Sequence, residues 1–237
     1  KIYSILINKS INKLVISEEA FTIKKYQFIY KDKISMLNSI FINPKFILII
    51  REQVSWLRSL YKQAIHQQNI KNINEFIELE NVNSDKLDCI NVNYLDYFEL
   101  IRHIRDISSN KEHLIFFYEN YLSDKEKYLK KIVKFFGLKY NTISINNEKL
   151  NRSISMLGLI FLITVNKSFS YLSIKLNYKT HIFLRNIFQN YTDKLIYINW
   201  DPMLKYKNLR KINILFKNYN KKLLDTSIND KIPDKYL

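Results

Sequence analysis

The chain has 237 residues, 47% of them apolar, so it suits one folded domain with a sizeable core and not a disordered segment. Its formal charge is +16, from 38 basic and 22 acidic side chains. A single cysteine, Cys89, excludes an intramolecular disulfide and a cysteine-based metal site.

The charge has two readings. A basic balance can mark a polyanion binder. Here only seven of the basic residues are Arg, Asn, Ile and Tyr are abundant, and there are two Gly and three Pro. Residues with A/T-rich codons are favoured throughout, so compositional bias explains much of the Lys excess. Each retained Arg gains weight for the same reason. The Lys residues are spread along the chain with no nucleic-acid motif, so no nucleic-acid partner is expected. The longest apolar run, Met156–Val165, is too short to cross a bilayer, so no membrane span is expected. The lone Cys fits a reducing, cytoplasmic setting.

In chain order, Leu14-Val15-Ile16 reads as a short buried strand running into the polar loop Ser17-Glu18-Glu19. After Pro44, Phe46–Ile50 is a five-residue apolar run rich in Ile, which predicts a central parallel strand. From Glu52 the period changes to helical. Val54, Leu57, Tyr61, Ala64 and Ile65 share one face, and Ser55, Ser59, Lys62 and His66 the other. Asn72–Glu80 reads as a short helix, Tyr94–Ile107 as a longer one and Leu114–Tyr118 as a strand. Ser123-Asp124 caps a helix running to about Phe136, with Gly137 as its stop signal. Beyond residue 150 strand signals fade, and Ile154–Phe169 and Leu209–Leu224 read as helices. Strands alternating with helices predict an α/β fold with a central parallel sheet and a helical C-terminal part.

Ligands of open parallel sheets gather at the carboxyl ends of the strands. Arg51 stands at such an end, and its planar guanidinium suits a bidentate grip on phosphate. Ser59 lies eight residues on, on the polar helix face, where a hydroxyl can complete an anion shell. A surface or helix-capping Arg is the plainer alternative.

An apolar strand, then Arg, then Ser eight residues later in a helix continuing to an aromatic residue (FILIIREQVSWLRSLY) resembles the 3′-phosphate-binding segment of sulfotransferases. Other segments resemble the family in the same order. LIFFYENY at Leu114–Tyr121 looks like its later strand with a Tyr-Glu pair, and the next helix ends KIVKFFGL. Asn151-Arg152-Ser153 is similar to an element of bacterial members, and Tyr219–Leu223 to the last helix. The resemblance implies a P-loop-like, three-layer fold and a single domain over residues 1–237. It implies 3′-phosphoadenosine 5′-phosphosulfate (PAPS) as donor, with no metal, and transfer of its sulfuryl group to an acceptor hydroxyl. Arg51 and Ser59 would hold the 3′-phosphate, and Arg152 would approach the nucleotide, or else be a solvated Arg at a helix start.

LVISEEAF at Leu14–Phe21 resembles the strand and Ser-x-Glu-x-Phe loop of carbohydrate-type members. It places Glu19 as the base that takes the acceptor's proton, with Glu18 as the alternative one residue away, and suggests a saccharide acceptor. A solvated acidic helix start is the competing reading of that pair. Glu119 is read as structural, and His66, His103, His113 and His181 share no motif.

One departure stands out. The family's Lys-x-Gly-Thr-Thr loop, whose N–H groups and Lys hold the 5′-phosphosulfate, has no counterpart, and no Gly precedes Gly137. The expectation is an N-terminally truncated domain whose loop lies upstream of Lys1. The alternative is a non-catalytic basic module that binds polyanions on a degenerate sulfotransferase scaffold.

Overall fold

The computed structural model describes residues 15–16, 30–42, 44–66, 71–79, 89–108, 113–139, 156–172, 180, 183, 186, 201–225, 228 and 230–237. After helix α1 (Tyr30–Ile40) comes strand β1 (Phe46–Ile50), which runs through a two-residue turn into helix α2 (Gln53–His66). A one-turn helix α3 (Ile73–Phe76) leads into strand β2 (Ile77–Glu78), and strand β3 (Ile90–Asn91) follows. Helix α4 (Tyr97–Ile107), strand β4 (His113–Phe117), the short α5 (Tyr118–Ser123) and α6 (Lys125–Phe135) come next. Helices α7 (Met156–Tyr171) and α8 (Leu209–Lys221) belong to the C-terminal part.

The fold is mixed α/β with small parallel sheets. β1 pairs with β4 in parallel, Phe46 opposite His113 through Ile50 opposite Phe117, and β2 pairs with β3 in parallel. Leu48 and Ile50 share one face of the first sheet with Ile115 and Phe117, because side chains alternate along a strand. These four join Ile34 of α1 and Leu100, Ile101 and Ile104 of α4 in one buried cluster. On the other face Phe116 is covered by Tyr128 of α6, with ring centroids 5.2 Å apart. A second cluster is built on α2, whose Trp56, Leu57, Tyr61 and Ile65 pack with Leu159 and Leu162 of α7 and Ile212 and Phe216 of α8. The apolar face of α2 expected from its periodicity therefore faces a core, and Ser59 opposite it is exposed.

Several local expectations change. The helix expected over 72–80 is a single turn, capped by the Asn72 side chain and closed by Glu75 in a capping box. Ile77 then enters β2. Ile73, Phe76 and Ile77 are all buried, and their spacing suits a helix, so periodicity alone could not show the ladder that takes over. The helix read from Tyr94 starts at Tyr97, where Asp96 accepts from the N–H groups of Phe98 and Glu99. β4 ends at Phe117, and Tyr118 opens a helix. Asp124 alone caps α6, since Ser123 closes the preceding helix. Gly137 adopts φ 65 past the end of α6, as its stop signal requires. Val15 and Ile16 are exposed and in no strand, and the rest of that expected element lies outside the described residues. Among the described residues no helix is long and apolar enough to cross a membrane.

Candidate anion site at the sheet edge

The ladder of β1 and β4 ends at the pair Ile50 and Phe117. The next residue on each strand, Arg51 and Tyr118, therefore emerges side by side at the carboxyl edge. The Arg51 guanidinium lies over the Tyr118 ring, 5.3 Å from its centroid. Such a stack holds a cation while leaving its edge donors for a ligand. Among the described residues no carboxylate pairs with Arg51, whereas Arg58 and Arg102 are engaged by Asp201 and Glu99.

The α2 N-terminus behind Arg51 is already capped. Glu52 Oε1 accepts from Val54 N–H at 2.8 Å and Oε2 from Ser55 N–H at 2.7 Å. The negative charge those N–H groups favour is supplied by the chain itself. Those two backbone donors are thus already satisfied within the chain. Ser59 lies six residues beyond Gln53, about 9 Å up the helix axis at 1.5 Å per residue. Its neighbour Arg58 is taken out of contention by two bonds to Asp201, Nε to Oδ1 at 2.8 Å and the terminal nitrogen to Oδ2 at 2.6 Å.

Around the turn lies a polar network that the sequence did not reveal. Glu119 accepts from Glu52 N–H at 3.3 Å, the Tyr236 hydroxyl at 2.6 Å and Lys235 Nζ at 2.8 Å. Burial alone would raise this carboxyl, but the bonds from Lys235, Tyr236 and the backbone outweigh it and hold it below its usual range. The same surroundings push the Tyr236 phenol up, first by burial and then by the bond to Glu119. A carboxylate so held is a poor proton acceptor, which agrees with the structural reading of Glu119. Glu52 is 67 residues away in sequence and Tyr236 117, so these partners leave no local pattern in the sequence.

Of the residues expected at the site, the fold places Arg51 and Ser59 on one strand–turn–helix unit, both with accessible side chains. Glu18, Glu19 and Arg152 lie outside the described residues.

Arg51 and Ser59 thus stand at the carboxyl edge of a parallel strand pair and on the helix beside it, the region where ligands of open α/β sheets gather. The profile of the family described as sulfotransferase domain matches residues 33–223, well over half of the chain, and includes both Arg51 and Ser59. The chain belongs to the sulfotransferase domain family, and is a sulfotransferase enzyme. No curated protein and no solved structure matches it.

Proposed function

We propose that the chain transfers a sulfuryl group from PAPS to an acceptor hydroxyl, of a saccharide, within a three-layer P-loop-like fold and in the cytoplasm. The reading is carried by one observation: Arg51 is stacked on Tyr118 at the carboxyl edge of β1 and unpaired with any described carboxylate. The fork of its guanidinium suits a phosphate dianion, and Ser59 adds a neutral donor that can follow the phosphate's remaining oxygens. Arg152 is assigned to the same nucleotide.

In the reaction, the acceptor oxygen forms a bond to sulfur while the bond from sulfur to the 5′-phosphate oxygen breaks. The acceptor proton passes to Glu19, with Glu18 as the neighbouring carboxylate, and the products are a sulfate ester and adenosine 3′,5′-bisphosphate. Arg51 and Ser59 act at the far end of the donor. Their grip is the same before and after transfer, so they set donor affinity more than the rate of the chemical step.

The test separates the two roles. With the gene's upstream sequence included in the expressed protein, transfer of labelled sulfuryl from PAPS is followed across a panel of oligosaccharides, alongside calorimetric binding of adenosine 3′,5′-bisphosphate. Glu19→Gln should lower kcat by roughly a hundredfold or more with bisphosphate affinity kept, since a positioned base contributes about that much. Full kcat in that variant would remove Glu19 from the mechanism, and no transfer to any acceptor by the unmodified protein would remove the donor assignment.

A further inference from the structure

The turn Arg51–Glu52 lies beyond the β1–β4 ladder, so the sheet does not hold it. Its support comes from distant residues. The Tyr97 hydroxyl donates to the Arg51 carbonyl at 2.7 Å, and Glu52 N–H donates to Glu119 Oε1 at 3.3 Å. Just past the turn the buried Gln53 exchanges bonds with Asn220, at 2.7 Å and 3.1 Å. Tyr236 connects these supports. Its hydroxyl, with one proton to give, donates to Glu119 Oε2 at 2.6 Å and stands 3.3 Å from the Ile50 carbonyl. Its own carbonyl accepts from Asn220 Nδ2 at 3.0 Å. The ring is 1% exposed and meets Phe117 edge-on, with centroids 4.8 Å apart.

The same C-terminal segment also grips β4. Asp230 Oδ2 accepts from Phe117 N–H at 3.1 Å and Asp230 Oδ1 from the Tyr128 hydroxyl, while the Lys231 carbonyl accepts from Asn120 Nδ2 at 2.6 Å. Both strand ends that present Arg51 and Tyr118 are therefore tied to residues 230–237, which lie outside the span matched to the family, 33–223.

We infer that residues 230–237 form a positioning strap for the anion site, with Tyr236 and Glu119 as positioning residues that fix the Arg51 turn and so the guanidinium over Tyr118. Neither residue needs to touch the ligand. An Arg fork grips a phosphate bidentately only when its main chain is held to a fraction of an ångström, and that supporting shell here comes from the strap. The inference rests on the reading of Arg51 as the 3′-phosphate ligand where it concerns donor affinity. The placement of the side chain is testable without any ligand.

The experiment uses the whole 237-residue chain. The Arg51 Nε–H resonance is assigned by its loss in Arg51→Lys, and its shift is then followed in Tyr236→Phe, which removes one oxygen and keeps the ring, and in Glu119→Ala. Near-UV circular dichroism and Tm report folding. The expected result is a displaced Arg51 resonance in both variants, with adenosine 3′,5′-bisphosphate affinity lowered roughly five- to tenfold in Tyr236→Phe, the scale of one ordinary net hydrogen bond. If Glu119→Ala does not fold, Tyr236→Phe alone decides the matter. An unmoved Arg51 resonance in folded Tyr236→Phe overturns the inference. Bisphosphate affinity that is indifferent to Arg51→Ala overturns the phosphate reading instead, and the resonance still decides the strap.

Discussion

Replacing Asn220 by Leu, a side chain of similar size, should be among the most damaging single changes near the site. Asn220 is 2% exposed and Gln53 is fully buried. The change removes the donor to Gln53 Oε1, the acceptor for Gln53 Nε2 and the donor to the Tyr236 carbonyl. Gln53 Nε2 keeps one long contact, 3.5 Å to the Leu95 carbonyl. A buried polar group left without its partner costs about 1–3 kcal/mol, and partial relaxation around three such groups brings the sum to roughly 2–4 kcal/mol. For a chain of this size that is a fall in Tm of about 4–16 °C. Urea denaturation measures the free energy directly. The double change Gln53→Leu with Asn220→Leu removes both amides and should recover at least about 1 kcal/mol relative to the sum of the singles. A cost below about 0.5 kcal/mol for Asn220→Leu, or simple additivity in the double variant, would refute the pairing argument.

Other consequences follow from the same geometry. Arg58→Ala should cost no more than about 1 kcal/mol, since its pair with Asp201 is more than a third exposed on the Arg side, and it should leave bisphosphate affinity within about twofold. A tenfold loss there would mean that Arg58, not Arg51, holds the anion. The phenols of Tyr97 and Tyr236 are pushed up by burial, so both should stay protonated in the native protein well above pH 10. Their contribution is complete below the unfolded phenol value and declines as pH rises past it, so stability should fall on the alkaline side. Spectrophotometric titration checks this, with one late-titrating phenol missing in Tyr236→Phe. The Glu119 carboxyl, held low, behaves in the opposite sense. Its contribution is present above the ordinary carboxyl value of 4.5 and is lost as pH falls through the lower folded value. Acid unfolding of Glu119→Gln should therefore be less steep below that pH than that of the unmodified protein.

The parts of the fold that the sequence made legible are those with a local cause. Phe46–Ile50 is too short and too apolar for a surface helix, and the change of period after Glu52 marks α2 and assigns Ser59 to its outer face. Arg51 stood out because it ends a strand in a chain that otherwise prefers Lys. The pairing of β1 with β4 joins segments more than sixty residues apart, and no local pattern states that register. Tyr118 beneath Arg51 follows only once that register is known. The strap was invisible for the same reason: Tyr236 and Asp230 look like ordinary polar residues of a C-terminal stretch until the fold brings them to the ends of β1 and β4. The 72–80 segment misled in the other direction, because three buried residues at helical spacing turned out to straddle a helix and a strand.

The central claim is that Arg51 holds the 3′-phosphate of the sulfuryl donor. Its most direct test is the calorimetric affinity for adenosine 3′,5′-bisphosphate against adenosine 5′-monophosphate, which differ by that phosphate alone. A bidentate, charge-assisted grip of about 2–3 kcal/mol predicts a preference of roughly 30- to 150-fold for the bisphosphate. Arg51→Ala should collapse that preference to within about threefold while leaving monophosphate binding nearly unchanged. No preference in the unmodified protein, or one that survives Arg51→Ala, would contradict the assignment.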